Sequence, residues 1–298
     1  MTGPRSRLRL GSCPDSWGVW FADDPRQTPW RRFLDELAEA GYRWLELGPY
    51  GYLPTDPARL REEVERRGLR VSGQAVFGAL HDPDRWQDDL RDARQVAELV
   101  TAMGASHVVL LPADAGPNPP ELDPDRWRTL VDRTVELGRI LKEEHGVAAV
   151  FHPHADSHVG TQPQIERFLD DTDPASVNLC LDTGHVAYYQ GDNVELISRH
   201  PDRIGYLHLK QADPAVVEQV KAEGLSFAEA VRRGAMCEPP KGDPDMEALL
   251  DAVDRYLDRE LFAIVEQDLY PCDPDEPLPI ATRTHAYFRQ LGVGSAAA

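Results

Sequence analysis

Apolar runs of β type alternate with stretches of helical period from one end of the chain to the other. The runs are LRLGSC (8–13), RWLEL (43–47), LRVSGQAVF (69–77), SHVVLLP (106–112), VAAVFH (147–152), VNLCLD (177–182), IGYLHL (204–209) and LFAIVE (261–266). Several are continuous rather than alternating, as strands covered on both faces are. Between them, residues 29–40 put Phe33, Leu37 and Ala40 on one helical face, and 84–103 do the same with Trp86, Leu90, Ala93, Ala97 and Val100. Residues 125–145 do so with Leu130, Thr134, Leu137 and Leu141, and further helices are expected near 163–171, 192–200, 214–233, 244–258 and 277–290. Pro29 and the Asp-Pro pairs at 56–57 and 123–124 stand where helices begin, because a first-turn residue needs no N–H partner. Gly41, Gly68, Gly104 and Gly146 fall between a helix and the next strand, the place of a C-terminal cap.

Eight β/α units in 298 residues predict a single (β/α)8 TIM barrel spanning about 8–290, with an elaborated helical segment over 211–258 before the eighth strand. The rival, a doubly wound open sheet, predicts a Gly-rich phosphate loop after the first strand, and GSCPDSWG is not GxGxxG. The tail GVGSAAA is expected to fray.

Composition narrows the function classes. With 32 Lys+Arg against 51 Asp+Glu, the net charge of −19 disfavours nucleic acid, anionic membranes and polyphosphates, which it repels at long range. No apolar run approaches the ~18 residues that span a bilayer. The segment MTGPRSRLRL has no apolar core of a secretory signal, so a cytoplasmic protein is expected. Cys13, Cys180, Cys237 and Cys272 form no CxxC pair and read as free thiols. Neither a G-x-S-x-G elbow nor a P-loop occurs.

A barrel of this kind gathers its chemistry at the C-terminal ends of its strands. There the chain places Glu46, Gln74, His152 with His154, Asp182 with His185, His208 with Lys210, and Glu266. Buried groups of this type are costly unless a metal or substrate engages them. The set His152, Asp182, His208 and Glu266 suits one divalent cation, and mixed N/O donors fit Mn²⁺, Co²⁺, Fe²⁺ or Zn²⁺ better than Ca²⁺ or Mg²⁺. The bland alternative is that each group separately caps its own strand, which four recurrences at the same strand end argue against. His154, His185 and Lys210 flank that set as acid, base or oxyanion groups, and Glu266 is a catalytic candidate as well as a ligand. In the loop CPDSWGVWFADDP (13–25), Asp15 and Trp17 are candidate substrate contacts, Trp20 and Phe21 could extend an apolar wall, and Glu46 and Gln74 would bond ring hydroxyls. His158 reads as a loop residue, and His81, His107, His145, His200 and His285 as surface or packing residues.

The succession HPH, LDTGH, HLK and VEQD at strand ends resembles the xylose isomerase-like barrel superfamily of sugar isomerases and epimerases. Within it, YLHLKQADPAVVEQVKAEGLSFAEAVRRGAM (206–236) and VEQDLYP (265–271) most resemble the inosose dehydratases, which act on 2-keto-myo-inositol. The resemblance covers roughly 8–290. It implies metal ligation by His152, Asp182, His208 and Glu266, a substrate contact at His185, and water loss through a metal-polarised ketone and an enediolate. Two positions depart from common relatives. Many ketose epimerases carry Glu where His152 stands, which weakens a mechanism with two opposed glutamates, and Gln211 replaces the Asp of HLKD. The expected partner is a small polyol or keto-sugar, with a homo-oligomer as an open option. The alternatives are a sugar or sugar-phosphate isomerase/epimerase, an apurinic endonuclease-like barrel and a non-catalytic sugar-binding barrel.

Overall fold

The computed structural model describes residues 4–294, so Ser295–Ala298 of the tail expected to fray lie outside the described residues. The strands are β1 (Leu8–Ser12), β2 (Trp44–Glu46), β3 (Arg70–Gly78), β4 (His107–Pro112), β5 (Ala148–Phe151), β6 (Val177–Asp182), β7 (Ile204–Leu209), the short pair β8 (Gln211–Ala212) and β9 (Met236–Cys237), and β10 (Leu261–Val265). All but β8 and β9 close into one parallel barrel in the order β1-β10-β7-β6-β5-β4-β3-β2. The helices are α1 (Trp30–Glu39), α2 (Pro57–Glu65), α3 (Trp86–Ala102), α4 (Pro124–Ile140), α5 (Gln162–Asp171), α6 (Thr183–Tyr188), α7 (Asn193–Arg199), α8 (Pro214–Ala222), α9 (Phe227–Arg232), α10 (Met246–Tyr256) and α11 (Pro277–Gln290). None of them is long and apolar enough to cross a membrane.

Alternation along the strands sorts side chains into two cores. One set, including Leu45, Val108, Phe151, Leu181, Leu207 and Val265, joins the main apolar core with helix residues such as Phe33, Leu130 and Leu249. The other set fills the barrel interior with Val109, Val150, Cys180, Tyr206, Phe262 and Ile264. Continued upward, the inward parity reaches Glu46, His152, Asp182, His208 and Glu266. Apolar layers therefore seal the barrel beneath one charged rim.

The expected caps are present: Gly41, Gly68, Gly104 and Gly146 take φ of 103°, 69°, 69° and 70°. The helix expected over 125–145 instead ends at Ile140 and widens into one π-type turn over Leu141–His145. The expected 214–233 helix breaks into α8 and α9 at Gly224, whose φ is 65°. With β8 and β9 they enclose a second small core of Val217, Val220, Ala230, Val231 and Met236, which lies against Tyr188 and Phe227. All four cysteines are free thiols.

Candidate active site

Asp182 closes β6 and opens α6, and its two oxygens divide the work. Oδ1 accepts the amide N–H groups of Gly184 and His185, both at 2.9 Å, capping the helix. Oδ2 turns to the barrel axis, 3.3 Å from His152 Nε2, 3.7 Å from His208 Nδ1 and 3.1 Å from Lys210 Nζ. His208, on β7, gives its Nε2 side to Glu46 Oε2 at 2.9 Å. That leaves Nδ1 facing Glu266 Oε2 at 3.2 Å, without the angle of a hydrogen bond. A carboxylate behind an imidazole fixes its tautomer and aims the other nitrogen, as behind metal-bound histidines.

One donor atom from each of His152, Asp182, His208 and Glu266 lies within 4.8 Å of the other three, and all four residues are buried. Within this cluster, the buried His152 Nδ1 and His208 Nδ1 have no hydrogen-bond partner. Two nitrogens and two carboxylate oxygens converging in this way fit a divalent cation. Lys210, only 1% exposed, puts Nζ 2.8 Å from Glu266 Oε2 and 3.0 Å from Asp268 Oδ2 as well as beside Asp182. Burial opposes the charge on Lys210, but Asp182, Asp268 and Glu266 outweigh it and raise its pKa well above the ordinary value. Burial likewise opposes ionisation of Asp182, and the Lys210 ammonium with the hydrogen-bonding His152 and His208 outweighs it, holding that carboxyl well below the usual range.

A second pair of imidazoles stands above this floor, with ring centroids of His154 and His185 4.0 Å apart. His154 Nδ1 lies 2.7 Å from the carbonyl of Ala155, so Nδ1 carries the proton and Nε2 keeps its lone pair. The amide N–H of Ala155 donates to His185 Nδ1 at 3.2 Å, so the neutral His185 ring carries its proton on Nε2. The two rings thus present opposite faces, one accepting and one donating. Burial, with His152 and Lys210 nearby, brings the His154 pKa down to about 4. Burial and His154 take His185 well below its ordinary value. Burial, Glu266 and Asp268 push Asp15 well above the carboxylate range.

These groups line one cavity of about 310 Å³, within the range of small-ligand sites. Asp15, Glu46, His152, His154, His185, His208, Lys210 and Glu266 all reach it, whereas Asp182 lies just beneath. Two expected substrate contacts lie elsewhere. Trp17 is fully buried in the outer core, its Nε1 donating to Glu36 Oε2 at 2.8 Å, and Trp20 lines the cavity in its stead. Gln74 faces away and donates to the carbonyl of Gly48 at 3.2 Å, and Ala75 occupies the wall. The cause is a bulge: Leu45 pairs with Val71 but Glu46 pairs with Gly73, so the extra residue Ser72 inverts the parity beyond it. Glu46 lines the cavity and bonds His208 through Oε2.

Sequence reasoning missed Asp268, the third carboxylate on Lys210, although it stands two residues beyond Glu266 with the same parity. It also passed over Cys13, whose thiol donates to Glu266 Oε1 at 3.0 Å, and the aromatic residues Phe77 and Phe227 of the cavity wall.

The family described as "Xylose isomerase-like TIM barrel" matches residues 34–276. The chain belongs to this family. It is 32% identical to an inosose dehydratase of Geobacillus kaustophilus over 254 residues, 79% of each chain. It is 27% identical to an inosose dehydratase of Clostridium perfringens over 296 residues, covering 96% of this chain and 98% of that one. Among solved structures, the zinc-binding IolI protein superposes with a TM-score of 0.72 at 17% identity, covering 94% of this chain and 97% of the other. A probable 3-DHS dehydratase of Bacillus anthracis gives 0.72 at 14% identity, covering 95% and 99%. An L-ribulose 3-epimerase gives 0.72 at 17%, covering 95% and 94%. At such identities these likenesses concern the fold.

Proposed function

We propose that the chain is a metal-dependent dehydratase acting on a cyclic keto-polyol such as 2-keto-myo-inositol. The observation that carries this reading is the pair His154 and His185, adjacent neutral rings in opposite tautomers. Loss of water from a hydroxy-ketone needs one group to take the proton next to the carbonyl and another to give a proton to the departing hydroxyl. His154 Nε2, with a free lone pair, suits the first task, and His185 Nε2–H suits the second. Similarity to the inosose dehydratases over nearly the whole chain supports the substrate class.

His152, Asp182, His208 and Glu266 would hold a divalent cation, which would supply Lewis acidity toward a ketone. Manganese or cobalt suits the two-nitrogen, two-oxygen set, and zinc or iron is compatible with it. Lys210 brings a fixed positive charge to the same floor and stabilises negative charge on the ketone oxygen as the neighbouring C–H ionises. Glu266 is anchored by Cys13 on one oxygen and by Lys210 on the other, so it serves the cation rather than moving a proton. Asp15, whose carboxyl is pushed upward by burial, Glu266 and Asp268, lines the cavity and bonds a ring hydroxyl. Glu46 keeps His208 in the tautomer a ligand needs. A cytoplasmic location and a small-molecule partner complete the reading.

The test is incubation of the protein with 2-keto-myo-inositol and Mn²⁺, Co²⁺ or Zn²⁺, following the absorbance of the dione. Dione formation that requires metal supports the proposal. An isomerised or epimerised product that has lost no water overturns it in favour of a sugar isomerase/epimerase.

A further inference from the structure

Lys210 stands where the barrel no longer supports its backbone. The register between β6 and β7 ends at the pair Asp182–His208, because β6 turns into α6 at Thr183. On the other flank Leu209 pairs with Val265, and its carbonyl accepts the Glu266 amide N–H at 3.2 Å. Successive residues of a strand bond to opposite sides, so both backbone groups of Lys210 face the side that β6 has left. A buried N–H or C=O without a partner is costly. Here one hydroxyl serves both groups. Thr183 Oγ1 accepts the Lys210 N–H at 3.0 Å and donates to the Lys210 carbonyl at 2.6 Å. A hydroxyl does this because it carries a donor and lone pairs on a single atom. Thr183 is fully buried and is not part of the cavity wall.

The support continues outward. The Thr183 carbonyl accepts Asn193 Nδ2 at 3.0 Å, and Asn193, buried in the first turn of α7, leaves its own Oδ1 without a partner. An orphaned buried oxygen is a penalty that an apolar residue would avoid, so the asparagine is explained by its Nδ2 bond. We infer that Thr183, backed by Asn193, is a positioning residue that sets where the Lys210 ammonium sits. The lysine stem is four carbons long and flexible. A backbone held in place lets its Nζ settle at 3.1, 2.8 and 3.0 Å from the carboxylates of Asp182, Glu266 and Asp268. The effect on rate rests on the dehydratase reading, whereas the effect on the ammonium does not. Moving that charge by about 1 Å weakens its hold on the ketone oxygen, with a loss of about tenfold or more in kcat.

The chain has four lysines, at 142, 210, 221 and 241. Nitrogen-15 lysine labelling of the Zn²⁺-loaded protein therefore gives a simple ammonium spectrum by NMR, in which the Lys210 signal is the one missing from Lys210→Met. Buried among three carboxylates, that ammonium is shielded from water in the parent protein. In Thr183→Val its proton exchange with water is expected to rise about tenfold or more, and in Thr183→Ser to stay within about twofold of the parent. With 2-keto-myo-inositol, Thr183→Val should lower kcat by about tenfold at nearly constant KM, and Thr183→Ser should restore it. A loss carried by KM, or unchanged exchange in Thr183→Val, overturns the inference. If Thr183→Val does not fold, Asn193→Leu decides: faster Lys210 exchange supports the inference, and parent-like exchange overturns it. Faster exchange in Thr183→Val, from a parent chain that removes no water from the cyclitol, leaves the positioning role standing and overturns the dehydratase reading.

Discussion

Replacing Asp182 by Asn leaves an oxygen to cap α6 but puts an amide where Oδ2 faces His152, His208 and Lys210. The helix therefore survives while the cation site loses one of its two anionic donors. Equilibrium dialysis of Asp182→Asn against Mn²⁺, followed by elemental analysis, should show metal affinity reduced by at least about tenfold with the circular dichroism unchanged. Full metal retention would remove Asp182 from the ligand set. At the other end of the barrel, His107 is neutral for a different reason. Burial and the nearby Arg9 bring its pKa down to about 4, and it packs against Tyr206 and Phe262. In the unfolded chain its pKa returns to about 6.5, so the folded state is penalised as pH falls through the window from about 6.5 to 4. The loss attributable to this one ring is on the order of 3 kcal/mol. Thermal unfolding between pH 7 and pH 4.5 should be less pH-sensitive in His107→Gln than in the parent chain, and equal slopes would contradict the assignment. Period-two alternation made Glu46, His152, Asp182, His208 and Glu266 legible as one inward set. It failed at Gln74 because a single bulge residue, Ser72, is invisible to a pattern that counts by twos. It gave no guidance between Trp17, which ends a single 3-10 turn, and Trp20 in the loop beyond it, because neither stretch is long enough to show a period.

At the scale of elements, the turn from β6 into α6 carries most of the local logic of the site. Gly184 follows Asp182 by two residues because a side chain there would meet Lys210: a Cβ would lie 2.5 Å from its Cγ and 2.8 Å from its Cβ. Alanine favours a helix more than glycine does, so Gly184→Ala gains helix propensity while displacing the Lys210 stem. The predicted outcome is a folded protein in which Lys210 is forced away from Asp182 and Glu266, with kcat lowered by about tenfold or more. Steady-state kinetics with 2-keto-myo-inositol checks this, and an unchanged kcat would separate Lys210 from the chemistry. The short α6 itself was not legible, because six residues carry too little periodicity to stand out from a loop. The break between α8 and α9 was hidden for the opposite reason. Apolar residues continue on both sides of Gly224, and only tertiary packing of Phe227 and Val231 against Tyr188 and Val217 sets the second helix at its own angle. That break delivers Phe227 to the cavity, and Asp156 secures it by accepting the Phe227 amide N–H at 2.6 Å.

Across the whole molecule, the eight-fold alternation of strand and helix was enough to specify the closed barrel, since each unit buries its apolar face only against its neighbours. The site then follows from the architecture: apolar layers block the barrel below, and the inward residues above them have no alternative but to converge. A cation bound only by the folded state must also stabilise the whole chain. At a concentration about a hundred times its Kd it contributes about 2.7 kcal/mol, a rise of roughly 5 °C in Tm for a domain of this size. Calorimetry with and without Mn²⁺ should show that rise in the parent protein and little of it in Asp182→Asn. The central claim is that His154 takes the proton next to the ketone and His185 releases the hydroxyl. Mass spectrometry of 2-keto-myo-inositol after reaction in D2O tests it directly. The parent protein should yield a product lighter by one water. His185→Gln should return substrate with deuterium exchanged next to the ketone but no water lost, and His154→Gln should do neither. A product of unchanged formula from the parent chain, or full water loss in either variant, would contradict the account.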